Sequence, residues 1–380
     1  MTSEKEKNTE EKADPADEDN VMKKKKPPLL LPEDTEKSYP INYMTEEDPK
    51  ARAEALKARE HIEVEETFVP GKPFFTPAVI NDFISNPTFI DKFDSFLTMQ
   101  LLIGVSDILE REGNLVEVGG SATIFAGDIH GDYDALVWIL DRYRSYGSDI
   151  RHLVFLGDYV DAGKDSLKVV NRLFLEKLAD PERIILLRGN NETLPINFHY
   201  GFLDEIKEKF LEQHHEKVFN WYNEIFALLP LAVLHGGETL ALHGGIPRLL
   251  EDIREINSLE ANTELSEDDI LFEILWNDPV DENVGFEPSP RGDRARLFGR
   301  KVFDIFIKNN GLKRMVVAHK AVSKGFEYYF DGRLLRIFSA PDYRGQGNAG
   351  AIAVLDHDGE FSIEEISLDP VETMEGDPGQ

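Results

Sequence analysis

Short apolar runs alternate with helical periodicities through the middle of the chain, and each run is closed by a polar loop. Apolar residues recurring every three to four positions predict helices over residues 79–97 and 101–111. The apolar quartets 123–126, 153–156, 184–187, 239–242 and 315–318 read as short buried strands. Helical periodicity returns between the first of these, over 133–143 and 166–178. Strands alternating with helices imply parallel pairing through right-handed crossovers. Runs at 333–339 and 351–355 have no helix between them and predict antiparallel additions, hence a mixed sheet or two packed sheets. The runs 231–234 and 239–242 flank His235-Gly236-Gly237, which reads as a hairpin turn. Polar residues at the carboxyl ends of parallel strands gather along one edge of the sheet, where α/β proteins bind their ligands.

The pattern is different before residue 74. Residues 1–45 are charged, polar and proline-containing, too poor in apolar side chains to fold alone. Lys23 to Lys26 ahead of Leu29 to Leu31 reads as a solvated tail segment, with a docking peptide as the alternative. Residues 45–61 read as an exposed helix with acidic residues in its first turn. The expected organisation is a disordered acidic tail over 1–66 containing that helical stretch, a catalytic domain over 67–370 and a disordered tail over 371–380.

Composition narrows the chemistry. The 380 residues include no cysteine, so disulfides and thiol catalysis are excluded and any metal must be held by His, Asp, Glu or Asn. The formal charge of −30 argues against nucleic acid or an anionic membrane as partner. No run approaches the ~18 apolar residues of a membrane span, and the first residues lack the apolar core of a secretory signal. These features suggest the cytoplasm. They also mean that a phosphorylated substrate would be repelled unless its site were locally positive.

The loops that close the strands hold metal-capable residues. Asp128 and His130 follow the first strand, Asp158 the second, Asn190 the third, His243 the fourth and His319 the fifth. Carboxylate, amide oxygen and imidazole suit Mn, Fe, Zn or Mg. Six donors are too many for one ion that must keep an open position. They suit two ions about 4 Å apart that share a carboxylate and a solvent oxygen. Two cations would depress the pKa of the shared water and polarise phosphoryl oxygens, so that hydroxide attacks in line without a covalent intermediate.

Gly127-Asp128-Ile129-His130-Gly131, Gly157-Asp158-Tyr159-Val160-Asp161, Arg188-Gly189-Asn190-Asn191-Glu192, His243-Gly244-Gly245-Ile246-Pro247, Ser339-Ala340-Pro341-Asp342-Tyr343 and Asn348-Ala349-Gly350-Ala351 resemble the ordered signatures of the PPP serine/threonine protein phosphatases, within the calcineurin-like metallophosphoesterases. The similarity runs over residues 74–356, and the last two blocks are the narrowest. The resemblance implies an α/β metallophosphoesterase fold, a central mixed β-sandwich flanked by helices. It implies one divalent ion on Asp128, His130 and Asp158, and another on Asp158, Asn190, His243 and His319, with manganese the expected metal. It implies a phosphorylated protein or small phosphoester as substrate, and a regulatory subunit as a partner class. Arg291 matches the family's phosphate-clamping arginine, with Arg294 as the alternative; Arg188 and Tyr343 are further candidates for lining the site.

Two positions depart from the family pattern. Asn191 stands where the histidine that protonates the leaving oxygen is expected, and Ala162 where a phosphate-binding arginine is expected. Asp161, the usual partner of that histidine, is retained. Asparagine cannot transfer a proton, and general acid catalysis is worth about 10²–10⁴-fold. Three readings follow. One is an active phosphomonoesterase that prefers aryl or anhydride leaving groups. Another is a catalytically impaired relative that binds phosphoprotein as a regulator. The third is an enzyme in which another group, such as His199, replaces the missing acid.

Overall fold

The computed structural model describes residues 74–260 and 269–368. The helix expected over 45–61, the Lys23–Lys26 element and the two tails lie outside the described residues, as do the expected domain limits at 67 and 370.

Fourteen strands appear among the described residues. In chain order they are β1 (Leu115–Val118), β2 (Thr123–Ala126), β3 (His152–Phe155), β4 (Ile184–Leu186), β5 (Ala232–His235), β6 (Thr239–Leu242) and β7 (Asp278–Pro279). There follow β8 (Phe286–Ser289), β9 (Gly292–Phe298), β10 (Arg314–Val317), β11 (Phe326–Tyr329), β12 (Leu334–Ile337), β13 (Ala351–Leu355) and β14 (Phe361–Glu365). A five-stranded sheet has the order β14-β13-β2-β3-β4 and a six-stranded sheet the order β1-β5-β6-β10-β12-β11. A small third sheet has the order β7-β9-β8.

The two large sheets pack face to face. Phe125, Val154, Leu156 and Ile185 from one interleave with Val233, Ala241, Val316 and Leu335 from the other. The outer face of the five-stranded sheet is covered by α1 (Pro77–Ser85), α2 (Ser95–Glu112), α3 (Tyr133–Ser145), α4 (Ser166–Ala179), the short α5 (Leu194–Asn197), α6 (Phe202–Lys209) and α7 (His215–Leu228). The six-stranded sheet is covered by α8 (Asp269–Trp276) and α9 (Arg300–Asn309). Strands β2, β3 and β4 are buried on both faces, which is why they read as unbroken apolar runs. Among the described residues no helix is long and apolar enough to cross a membrane.

The expected mixed β-sandwich is present, with local corrections. Strands β2, β3 and β4 are parallel, and β13 adds antiparallel to β2. By contrast β12 lies parallel to β10, because β11, unread in the sequence, reverses the chain between them. The helix expected over 79–97 is broken. Pro87 cannot continue α1, a 3₁₀ turn spans Pro87–Lys92, and Asp94 restarts the chain as the N-cap of α2, its Oδ1 accepting from Leu97 N at 2.8 Å.

Candidate metal centre

The loops after β2, β3 and β4 are tied together before any side chain is considered. The N–H groups of Ile129 and His130 both donate to Asp158 O at 2.9 Å, and Gly131 N donates to Tyr159 O at 2.8 Å. The Glu192 carboxylate accepts from the backbone N–H of Asp158 (2.7 Å), Tyr159 (2.8 Å), Gly189 (3.0 Å) and Val160 (3.3 Å). Gly157 has φ +101° and faces Gly189 so closely that a Cβ there would collide with backbone. Among the described residues nine non-glycine positions have positive φ. Seven of them, His130, Asp158, Asp161, Ala162, His319, Asp342 and Arg344, lie in loops around this point, so backbone strain is concentrated here.

These loops bring the six expected donors into one buried cluster. His130 Nε2 lies 3.5 Å from Asp128 Oδ2 and 3.6 Å from Asp158 Oδ2. From the six-stranded sheet, His243 Nε2 lies 3.0 Å from Asn190 Oδ1, 3.2 Å from His319 Nδ1 and 3.4 Å from Asp158 Oδ1. Two sets of residues thus converge with donor atoms within 4.8 Å of one another: Asp128, His130 and Asp158, and Asp158, His243 and His319.

The cluster is built for cations. Leu156 O lies 2.8 Å from His243 Nδ1, and a hydrogen bond there leaves a lone pair on Nε2. That lone pair then confronts an amide oxygen and a carboxylate oxygen, which are acceptors too. Asp128 Oδ2 is buried and has no hydrogen-bond partner. Burial pulls the His243 pKa down to about 4, and burial with the Arg291 charge pulls that of His319 well below its usual value, so both rings are neutral and ready to ligate. Burial and the nearby Asp128 charge push Asp158 well above the usual carboxylate range. Burial opposes charging His130, but Asp128 and Asp158 outweigh it and hold its pKa at about 9. Two neutral imidazoles, an amide oxygen and an unpartnered carboxylate oxygen crowd together, and the cluster draws protons to His130 and Asp158 in compensation, a charge that two divalent ions would supply instead.

The other expected residues separate. Tyr343 stacks on the His130 ring with centroids 4.7 Å apart, and burial pushes its hydroxyl up to about 12. Arg291 approaches the imidazole side. Its Nε donates to Asp278 Oδ2 at 2.6 Å and a terminal nitrogen donates to His319 O at 3.2 Å. Arg294 instead sits over the Phe272 ring and pairs with Asp269. Asn191 N donates to Asp158 Oδ1 at 2.9 Å, and its Nδ2 lies 3.2 Å from Asp158 Oδ2 and 3.1 Å from His130 Nδ1. Asp161 makes no hydrogen bond to Asn191; its Oδ1 accepts from Phe202 N at 2.8 Å, and burial lifts its pKa to about 7.

Three expectations change. Arg188 is buried, its Nε donating to Glu192 O at 3.0 Å, so it braces the loop from within. His199 is exposed, with its ring edge-on to Phe198, and makes no hydrogen bond to the donor cluster among the described residues. His235 ends β5, where Ser121 O lies 2.7 Å from its Nε2, and the turn itself is made by Gly236 and Gly237. Sequence reasoning also passed over the role of Glu192, whose partners are backbone groups, and over the open cleft of about 1110 Å³ beside His130, lined in part by Ala162, Lys164, Tyr343 and Arg344.

A family model for calcineurin-like phosphoesterases matches residues 122–323. The serine/threonine-protein phosphatase 4 catalytic subunit of Saccharomyces cerevisiae (strain ATCC 204508 / S288c) is 34% identical over 260 residues, which is 68% of this chain and 82% of that relative. A solved structure of a protein serine/threonine phosphatase from Saccharomyces cerevisiae, described as similar to human phosphatase PP5, superposes with a TM-score of 0.66 at 25% identity. That match covers 78% of this chain and 98% of the other.

Proposed function

Because this chain belongs to the calcineurin-like phosphoesterases, and among them to the PPP serine/threonine protein phosphatases, we propose that its buried Asp, His and Asn cluster is the dinuclear centre of a phosphatase acting on phosphorylated proteins. The chain is a metal-dependent hydrolase of the phosphatase type, and two divalent ions are its cofactors. In this reading Asp128, His130 and Asp158 hold one ion, and Asp158, Asn190, His243 and His319 hold the other. Manganese suits this oxygen and nitrogen set. The observation that carries the reading is the sharing of Asp158 between two buried donor sets. A regulatory subunit and a cytoplasmic location belong with it.

When bound, the two ions would lower the pKa of a water between them and polarise the phosphoryl oxygens. The protein's own residues do the rest. Arg291 offers a guanidinium from the imidazole side, anchored by Asp278, to receive a phosphoryl oxygen. Tyr343 covers the His130 ring and fixes its plane. Asn191 donates hydrogen bonds but has no proton to give to a departing oxygen. An alkoxide from phosphoserine therefore leaves unassisted, whereas a phenolate, with a conjugate acid of pKa near ~10, leaves readily without help.

The test is a comparison of esters with the manganese-loaded protein. Aryl phosphates, p-nitrophenyl phosphate and phosphotyrosine, should be cleaved far faster than phosphoserine. Asn191→His should raise turnover of phosphoserine by about 10²-fold or more and change the aryl ester little. Equal gains on both esters would refute the leaving-group argument. Tight phosphopeptide binding with no turnover of any ester would instead make this a catalytically impaired, phosphoprotein-binding regulator.

A further inference from the structure

The site as described has a cation on its imidazole side, Arg291, and none where the family pattern places an arginine, because residue 162 is alanine. Ala162 lines the open cleft beside His130, and so does Arg344 from the loop after β12. Arg344 is unusual in this acidic chain. Arg142, Arg172, Arg291, Arg300, Arg333 and Arg336 all pair with carboxylates. Arg344 makes no hydrogen bond or ion pair with any described residue. Its guanidinium lies 5.2 Å from the centroid of the Tyr343 ring, the ring that stacks on His130. Its charge is felt at Asp161 and at Tyr343, which places it within electrostatic reach of the loop that carries Ala162.

The backbone holds this residue deliberately. Asp342 and Arg344 have φ of +46° and +55°, a conformation that costs a non-glycine residue free energy. The loop is kept there by Asp342 N donating to Asn348 O, Tyr343 N to Asn348 Oδ1 and Gly347 N to Asp342 Oδ1, each at 2.8 Å. Asn348 is itself anchored by its Nδ2 to Ala340 O at 2.9 Å. An exposed arginine over an aromatic ring, in the lining of a cleft that reaches His130 and without a carboxylate partner, is suited to a phosphate. Lys164 lines the same cleft, but among the described residues no hydrogen bond, ion pair or ring contact fixes it.

We propose that Arg344 supplies the phosphate contact that alanine at 162 cannot, binding a phosphoryl oxygen of inorganic phosphate or of a phosphate monoester. The proposal rests on the reading of the cluster as a dinuclear phosphatase centre, and the test separates the two. Manganese-loaded wild type, Arg344→Ala, Arg344→Lys and the double variant Arg344→Ala with Ala162→Arg are titrated with inorganic phosphate by calorimetry, and bound manganese is measured in each. Arg344→Ala should weaken phosphate binding roughly ten- to hundredfold, the usual worth of a charge-assisted hydrogen bond. Manganese content should stay unchanged. The lysine variant should fall between, and Ala162→Arg should recover part of the loss. The same order should appear in KM for p-nitrophenyl phosphate more than in kcat. A dissociation constant for Arg344→Ala within twofold of wild type overturns the proposal and leaves the dinuclear reading standing. Loss of manganese from Arg344→Ala also overturns it, because the defect would then lie in the cluster. Wild type that binds no phosphate with manganese present overturns both. Arg344 is exposed and makes no buried contact, so its truncation does not threaten folding.

Discussion

The two large sheets contribute unequally to the metal centre. The five-stranded sheet supplies both carboxylates, the amide and one imidazole, on loops knotted together by their own backbone and by Glu192. The six-stranded sheet supplies two imidazoles, His243 and His319, and each is secured by an atom of the opposite sheet's loops. Leu156 O faces His243 Nδ1, and Asp128 Oδ1 accepts from His319 N at 2.9 Å. One half of the cluster is therefore built locally, and the other is aimed by the packing of sheet on sheet. The donor set acts as a gauge of how the sandwich is registered.

The strongest way to break this division is to remove the residue that belongs to both donor sets. Asp158→Asn should abolish dinuclear binding, with turnover falling about 10³-fold or more. Metal analysis would show fewer than two equivalents per chain; retention of two would refute the shared role. A smaller effect should follow from loosening the local half alone. Glu192→Gln replaces a buried acceptor of several N–H groups by an amide that turns an N–H toward them, costing about 2–4 kcal/mol. Thermal melting should fall by several degrees, and an unchanged melting temperature would show that the backbone knot holds without the carboxylate. The mildest variant marks where the comparison ends. Glu224 lies on α7, away from both sheets' loops, and burial raises its pKa to about 7. A carboxyl whose folded pKa is raised favours the native state below its unfolded pKa of about 4.5, and that advantage is lost as pH rises toward 7. Glu224→Gln should therefore melt a few degrees higher than wild type at pH 8 and equally at pH 4. Metal content should not change, and a gain that is the same at both pH values would rule out ionisation as its cause.

Much of the fold was legible because β2, β3, β4 and β6 are buried on both faces and so are written as apolar runs. Strands β8, β11 and β14 were not, because each lies at a sheet edge and turns polar residues to solvent. The break in the first long helix was signalled by Pro87 and Asp94, but the apolar periodicity ran through both. The six donors could be read because each stands in the loop directly following a strand. Arg188 shows the limit of that logic. It is one residue from a glycine that closes on Asp158, yet its side chain turns inward, and nothing in the local sequence distinguishes the two directions. Glu192 stood inside a recognised motif, but three of its four N–H partners are more than thirty residues away in the chain. Arg344 looked like any polar loop residue until the cleft showed what it faces.

Ser339 joins the loop after β2 to the start of β13. Its hydroxyl accepts from Gly127 N at 2.8 Å and donates to Ala351 O at 2.7 Å, and the strand that follows, β13, lies between β2 and β14. All six donors precede Ser339 in the chain, so when the last of them, His319, has been added, β2 still lacks the neighbour on its open flank and the hydroxyl that pins its loop. A nascent chain halted between those points carries all six donors and has no finished pocket to put them in. Completion of the pocket thereby waits on the last strands of the domain, when contacts spanning more than two hundred residues can form.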